Sequence, residues 1–330
     1  MHDEQLPVLS YIQAVNHGLR WALSERDDTV IFGEDVAVPG GPFGATKNLH
    51  KEFGSERIFD TPISETAFLG MALGAAMTGL RPIVEIMYAD FMFVAMDQIV
   101  NQIANTRYSS GGRWTAPLVV RTQQGYSPGS CAQHSHSIEA YIAHTPGIRL
   151  AVPANPDDAY QMVRTAVASN DPVVIAEARM LYPIKGPVRL EAEIEALGGA
   201  RVVREGTDLT IVSWSRMVSV ALEAAARLEE EKGVRAEVID LRWLAPLDFA
   251  AVHASVAKTG RLVVAHEANL TGGFGAEIVA RAASECFSDL KARVERVGAP
   301  DTPVPAAPAL QDVTIPNIDD VVQAARRVLA

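Results

Sequence analysis

Two carboxylates stand where they could do chemistry. Asp60-Thr-Pro-Ile-Ser-Glu65 places a structure-breaking proline and a capping-type serine just ahead of Glu65. Glu65 opens a stretch of helical length, Thr66 to Gly79, in which Ala67 to Met77 are apolar on every face. A helix apolar all round is expected to be buried. Glu65 therefore reads either as a first-turn acid favoured by the helix dipole or as a partly buried acid meeting a ligand. Glu34 follows the apolar run Thr29 to Phe32. That is the end at which parallel α/β sheets bind ligands, although an exposed strand-end acid would look the same.

Other groups have weaker claims. Cys131, His134 and His136 share a Gly/Ser/Pro-rich loop. A zinc ion there would lack an obvious fourth ligand, so a polar loop histidine with another role is the better reading. His144, on an apolar stretch, reads as a packed histidine. Gly125-Tyr-Ser-Pro-Gly129 matches the nucleophile elbow of serine hydrolases, but Pro128 has no N–H for an oxyanion hole. Gly273-Phe-Gly275 is half of a dinucleotide fingerprint whose third glycine would fall at Ile278.

The elements that must position these residues alternate. Strand-like runs are Thr29 to Phe32, Arg81 to Tyr88, Pro117 to Thr122, Ile148 to Val152 and Pro172 to Ala176. Helical spacing covers Phe91 to Tyr108, and a helix capped by Asn155 with Pro156 in its first turn runs to about Ser169. Periodicity then fades from Leu181 to about Arg204. A second series follows: strands near 209–214, 236–241, 261–266 and 294–297, and helices near 217–232, 248–258, 276–287 and 318–329. Pro300 to Pro308 reads as a Pro/Ala-rich surface connection. Such alternation implies an α/β fold of two parallel-sheet domains in tandem. The boundaries are 1–182 for the first domain, 183–204 for the linker and 205–330 for the second.

Composition agrees and narrows the field. The chain has 330 residues, 48% apolar and 21% charged, enough for a large core. Lys plus Arg number 29 against 40 Asp plus Glu, and a net charge of −11 disfavours nucleic acid as a partner. Two cysteines, Cys131 and Cys286, make no disulfide framework and suit a reducing cytoplasm. No apolar run reaches 18 residues, and the acidic, polar N-terminus is unlike a signal peptide. The expectation is a cytoplasmic protein with no membrane partner.

Several short segments occur in one order at characteristic spacings. They are Gly33-Glu-Asp-Val36, Asp60-Thr-Pro-Ile-Ser-Glu65, Gly79-Leu-Arg-Pro-Ile83, Asp97-Gln-Ile-Val-Asn-Gln102, Ala132-Gln-His-Ser135, His144-Thr-Pro-Gly-Ile148, Asn170-Asp-Pro-Val173 and Thr271-Gly-Gly-Phe-Gly-Ala-Glu277. Together they resemble the beta subunit of the decarboxylating component of 2-oxo acid dehydrogenase complexes. That family comprises pyruvate, branched-chain 2-oxo acid and acetoin enzymes that depend on thiamine diphosphate. The resemblance implies a thiamine-diphosphate-binding pyrimidine domain followed by a transketolase C-terminal-type domain. It also implies an α2β2 assembly with an alpha subunit, the cofactor lying between unlike chains. The partners it implies are a lipoyl acyltransferase component and a small 2-oxo acid substrate. An acetoin-cleaving beta subunit, or a non-catalytic assembly subunit, are the alternatives. Thiamine enzymes hold the diphosphate through magnesium on a Gly-Asp-Gly segment. This chain has none, so the resemblance assigns magnesium to the alpha subunit.

Residue by residue, Glu65 matches the glutamate that hydrogen-bonds the aminopyrimidine ring nitrogen. Glu34 matches a residue near the cofactor. Ile63, Ser64, Met87, Tyr88 and Phe91 match positions lining the ring. Gln133 and His134 match the substrate loop, with His134 the expected proton donor or acceptor, imidazole being the side chain that changes charge near neutral pH. His136 stands where many relatives carry glutamine. Leu118, Ala166, Val167, Ser169 and Asp171 fall where some relatives bind potassium, mostly through backbone carbonyls. Ser169 replaces an aspartate found there in a relative.

Overall fold

Short β-branched runs bounded by polar turns become strands buried on both faces, as a parallel sheet covered by helices requires. The computed structural model describes residues 6–330, so the acidic residues 1–5 lie outside the description. The elements begin with β1 (Val8–Ser10), α1 (Tyr11–Glu25), β2 (Thr29–Gly33), α2 (Leu49–Phe53), β3 (Ile58–Asp60), α3 (Glu65–Met77) and β4 (Arg81–Ile86). Then come α4 (Thr106–Ser109), β5 (Val119–Gln124), α5 (Glu139–Ala143), β6 (Arg149–Ala151), α6 (Pro156–Ala168), β7 (Val173–Ala178) and β8 (Lys185–Pro187). The chain divides into two units. One holds the residues through Gln124 together with Tyr141–Leu197, and the other holds Gly125–Ala140 and Gly198–Ala330.

In the first unit the parallel strands lie in the order β6-β7-β5-β4-β2-β3. Helix α1 starts with a capping box, Ser10 and Gln13 each bonding the other's backbone N–H, worth about 1 kcal/mol. It packs on α6 so closely that a Cβ at Gly18 would sit 3.0 Å from Val163 Cβ. Asn155 caps α6 by accepting from the Asp158 N–H at 2.9 Å, with Pro156 in the first turn, as its sequence predicts. Within the stretch 183–204, Lys185–Pro187 pairs antiparallel with Val8–Ser10, and Tyr160 donates to the Leu190 carbonyl.

The second unit runs β9 (Arg201–Arg204), β10 (Leu209–Ser213), α7 (Met217–Lys232), β11 (Ala236–Asp240), β12 (Trp243–Ala245), α8 (Phe249–Thr259), β13 (Leu262–Asn269), α9 (Gly275–Glu285), β14 (Glu295–Ala299), α10 (Pro308–Thr314) and α11 (Ile318–Leu329). Its sheet order is β14-β13-β10-β11-β9, parallel except for β9, which closes one edge antiparallel. The apolar faces of α7 and α11 meet over Ile211, Val238 and Val263 in one buried cluster.

Three local expectations need correction. Residues 91–108 are not one α-helix. A 3-10 segment Ala89–Ala95 and a π-helical segment Asp97–Ile103 precede the short α4. The apolar residues Met92, Ile99 and Ile103 are buried as the spacing suggested, but the backbone overwinds and underwinds to bury them. Helix α3 is not covered on all sides: Ala67, Met71 and Gly74 are exposed. His144 is exposed rather than packed. The Pro/Ala-rich surface connection is present as expected, irregular from Pro300 to Ala307 and followed by α10, which has Pro308 in its first turn.

Candidate active site

Three parallel strands, β4, β2 and β3, lie side by side and end at one edge of the first sheet. Glu34 follows β2, Thr61 to Glu65 follow β3, and Met87 to Phe91 follow β4. Parallel pairing therefore gathers residues from three separate sequence segments. Gly33 allows this edge to form, because a Cβ there would lie 2.4 Å from the Glu85 carbonyl oxygen. Asp60 accepts from the Ala37 N–H at 2.7 Å, and Thr66 donates to the Val94 carbonyl at 2.8 Å. These bonds tie the three connections together.

Glu65 is the first residue of α3 and is 6% exposed. Ser64 takes the cap position, but its side chain makes no capping bond. Glu34 is half-buried, and its Oε1 is enclosed without a hydrogen-bond partner. So is Thr61 Oγ1. Burial raises the pKa of Glu34, and the neighbouring carboxylates of Glu65 and Asp35 raise it further. The site thus combines a buried acid at a helix start with an enclosed carboxyl oxygen that lacks a donor.

One wall is aromatic. Tyr88 stands edge-on to Phe43 at 5.9 Å and to Phe91 at 6.3 Å, and Phe43 also meets Tyr182 at 5.5 Å. The Arg179 guanidinium lies 5.1 Å over the Tyr88 ring. Tyr88 has a left-handed backbone, φ 67°, a conformation that needs support from its surroundings. Its N–H donates to Gln123 Oε1 at 3.2 Å, and Gln123 Nε2 donates to Glu85 Oε1 at 3.2 Å. Ile63 is 84% exposed and so presents its side chain away from this chain.

Beneath the edge lies an ion network that sequence reading missed. Arg121, 1% exposed, donates through Nε and Nη2 to Glu177 at 2.8 and 2.9 Å, and through Nη1 to Glu85 at 2.7 Å. Tyr182 donates to Glu177 Oε2 at 2.8 Å. Burial raises the pKa of Glu85 despite the adjacent guanidinium. Burial alone would lower that of Arg121, but the two carboxylates hold it above its ordinary value. The available signal was a charged residue inside each of three apolar strands.

Gln133 and His134 belong to the second unit, on the loop Gly125–Ala140. Gln133 is exposed and accepts from Cys131 Sγ at 3.2 Å, while His134 is half-buried in a 3-10 turn. Among the described residues no group of three or more His, Cys, Asp and Glu is placed to hold a metal ion. The five residues of the potassium expectation all lie in the first unit. Arg81 Nη1 donates to the Val167 and Ser169 carbonyls at 2.9 and 2.6 Å. The Leu118, Ala166 and Asp171 carbonyls accept from Val173 N, Ser169 N and Ser169 Oγ.

Two α/β units with a carboxylate-lined sheet edge define a transketolase-type protein, and family comparison agrees. Residues 8–185 match the transketolase pyrimidine-binding domain and residues 198–321 the transketolase C-terminal domain. The chain is 42% identical over 322 residues to the pyruvate dehydrogenase E1 component subunit beta of Bacillus subtilis, covering 97% of this chain and 98% of the relative. The subunit of the same name from Leifsonia xyli is 43% identical over 328 residues, at 99% and 97% coverage. The acetoin:2,6-dichlorophenolindophenol oxidoreductase subunit beta of Bacillus subtilis is 40% identical over 334 residues, at 98% and 97% coverage. A solved split-gene transketolase, described as an inactive beta4 tetramer, superposes with a TM-score of 0.79 at 25% identity, covering 97% of this chain and 98% of that one. This chain belongs to the family of dehydrogenase E1 beta subunits.

Proposed function

We propose that the chain is the beta subunit of a 2-oxo acid dehydrogenase decarboxylating component, active with an alpha subunit in the cytoplasm. In the assembly it shares thiamine diphosphate with the alpha chain, and the acyl group goes to a lipoyl acyltransferase. The observation that carries this reading is the enclosed Glu34 Oε1 without a donor beside the buried Glu65. An enclosed carboxyl oxygen left unpaired is costly unless a ligand completes it. The two carboxyl groups fit the aminopyrimidine end of thiamine diphosphate, whose amine can donate to a carboxylate and whose ring nitrogen can accept from a protonated carboxyl.

Bound thiamine diphosphate supplies the nucleophilic carbon and the electron sink for decarboxylation. Glu65 handles the proton at the aminopyrimidine ring nitrogen, and its burial strengthens that hydrogen bond. Glu34, Ile63 and Ser64 orient the same ring from the sheet edge. Met87, Tyr88 and Phe91 offer it thioether and aromatic surface. His134 donates or accepts a proton during acyl transfer, with Gln133 beside it on the substrate loop. Magnesium and the diphosphate fall to the alpha subunit. The exposed apolar face of α3 and the outward Ile63 suit burial against that partner. Potassium would have to share the Val167 and Ser169 carbonyls with Arg81.

Replacing Glu65→Gln in the assembled complex tests the reading. The shape is kept and the acid is lost, so decarboxylation should fall to background while thiamine diphosphate still binds. Near-normal turnover would remove Glu65 from the mechanism. Assays of the complex with pyruvate, branched 2-oxo acids and acetoin identify the substrate.

A further inference from the structure

The loop that carries Gln133 and His134 is closed on itself. The Gly125 N–H donates to the His136 carbonyl at 3.1 Å and forms a neck. Inside the loop, Ser130 Oγ donates to the Ser127 carbonyl at 2.7 Å and lies 2.6 Å from Ser135 Oγ, which donates to the Cys131 carbonyl at 2.7 Å. Such a loop, packed by its own side chains, behaves as one body. Where that body sits depends on what grips its neck.

The grip is Glu267, on β13 of the same unit. Its Oε1 accepts the Tyr126 N–H at 2.9 Å, and its Oε2 accepts from Arg216 Nε at 2.5 Å. Both charged side chains are nearly enclosed, 13% exposed for Arg216 and 12% for Glu267. Arg216 also stacks 5.1 Å over the Tyr126 ring and donates to the Pro316 carbonyl at 3.1 Å. Gly125, with φ 76°, passes so close that a Cβ there would lie 2.4 Å from Glu267 Oε1. A short charge-assisted bond to a backbone N–H is among the stronger and more directional polar contacts.

We propose that Glu267, held by Arg216, is a positioning residue for the His134 loop and sets where that imidazole stands during acyl transfer. The proposal rests on the reading of His134 given above. Loss of the grip leaves the loop's internal bonds and the longer 3.4 Å contact from Gln311 Nε2 to the Ser127 carbonyl but frees the neck to shift, and a misplacement of about 1 Å can cost roughly 100-fold in rate.

The test uses the assembled αβ complex carrying Glu267→Ala, Glu267→Gln or Arg216→Gln. Hydrogen exchange of the backbone amides of 125–136 is measured beside two rates, lipoyl acylation and decarboxylation with an artificial electron acceptor. Glu267→Ala should speed loop exchange and slow lipoyl acylation about 10- to 100-fold, with decarboxylation and thiamine diphosphate affinity within about 2-fold of wild type. Glu267→Gln, which keeps an acceptor for the Tyr126 N–H, should recover much of the loss. Unchanged loop exchange in Glu267→Ala overturns the proposal. So does an equal fall in both rates, the mark of general destabilisation. His134→Ala run alongside separates the two readings. If that variant acylates normally, His134 loses its role, while the hold of Glu267 on the loop is still judged by exchange.

Discussion

His266 on β13 should make the second unit sensitive to acid. The ring is fully buried and stacked on Trp214 at 5.3 Å and 12°; neither ring nitrogen makes a well-formed hydrogen bond, and the nearby Ala268 backbone offsets the effect of burial only in part. Its walls are backbone: Cβ atoms at Gly273, Gly275 and Gly298 would come within 2.8, 2.5 and 2.9 Å of ring atoms. Burial, with Arg296 adding repulsion, lowers the pKa from 6.5 to about 4. In the unfolded chain the imidazole takes its proton below 6.5; in the folded chain it does so only below about 4. Between these values the unfolded state binds more protons, so stability falls as pH falls. At about 1.4 kcal/mol per pH unit, that window amounts to a loss of about 3 kcal/mol. The stability is intact above 6.5 and is lost as pH falls to about 4. Urea unfolding of wild type and His266→Phe, stepped down from neutral pH, isolates this contribution. The larger ring should cost about 1–3 kcal/mol at every pH through overpacking. Carboxylates titrate in both proteins alike. The variant should therefore lose about 3 kcal/mol less than wild type on acidification. Parallel losses in the two proteins would refute the argument.

The remaining expectations concern the site and its support. His134→Ala should slow lipoyl acylation of the assembled complex by about 10²–10⁴-fold, the range of a general acid–base group. An unchanged rate in stopped-flow transfer to free lipoyl domain would exclude the role. Arg121→Met should destabilise the first unit by about 3–5 kcal/mol, because Glu85 and Glu177 are left buried without a counter-ion, keeping the neutral donors Gln123 and Tyr182. Denaturant unfolding checks this. A loss under about 1 kcal/mol would mean the network relaxes or takes up water.

Some of this protein is local, and the sequence alone determines it. Helices α7 and α11 are legible to the residue because an apolar stripe at helical period meets clear ends. Gly233 closes α7 in the left-handed conformation, and Asn317 opens α11 with a capping box. Asn155 and Pro156 announce α6 in the same way. Helix α1 carried an equally readable cap, Ser10 with Gln13, that the expected element series passed over. The carboxylates were legible too, as acids at the ends of apolar runs. Tertiary structure decided the rest. Nothing within a few residues of Arg121 says that β5 lies between β4 and β7, and only that order brings Glu85 and Glu177 to its guanidinium. The segment 89–109 takes three helical forms because burying Met92, Ile99 and Ile103 outweighs the preference for one regular helix. Glu267 lies far along the chain from Tyr126, and no spacing relates them. Caps, turns and periodicity act over a few residues and are written in order along the chain. Strand order, ion pairing and the grip on a loop join distant residues, and their energies exist only once the fold has closed.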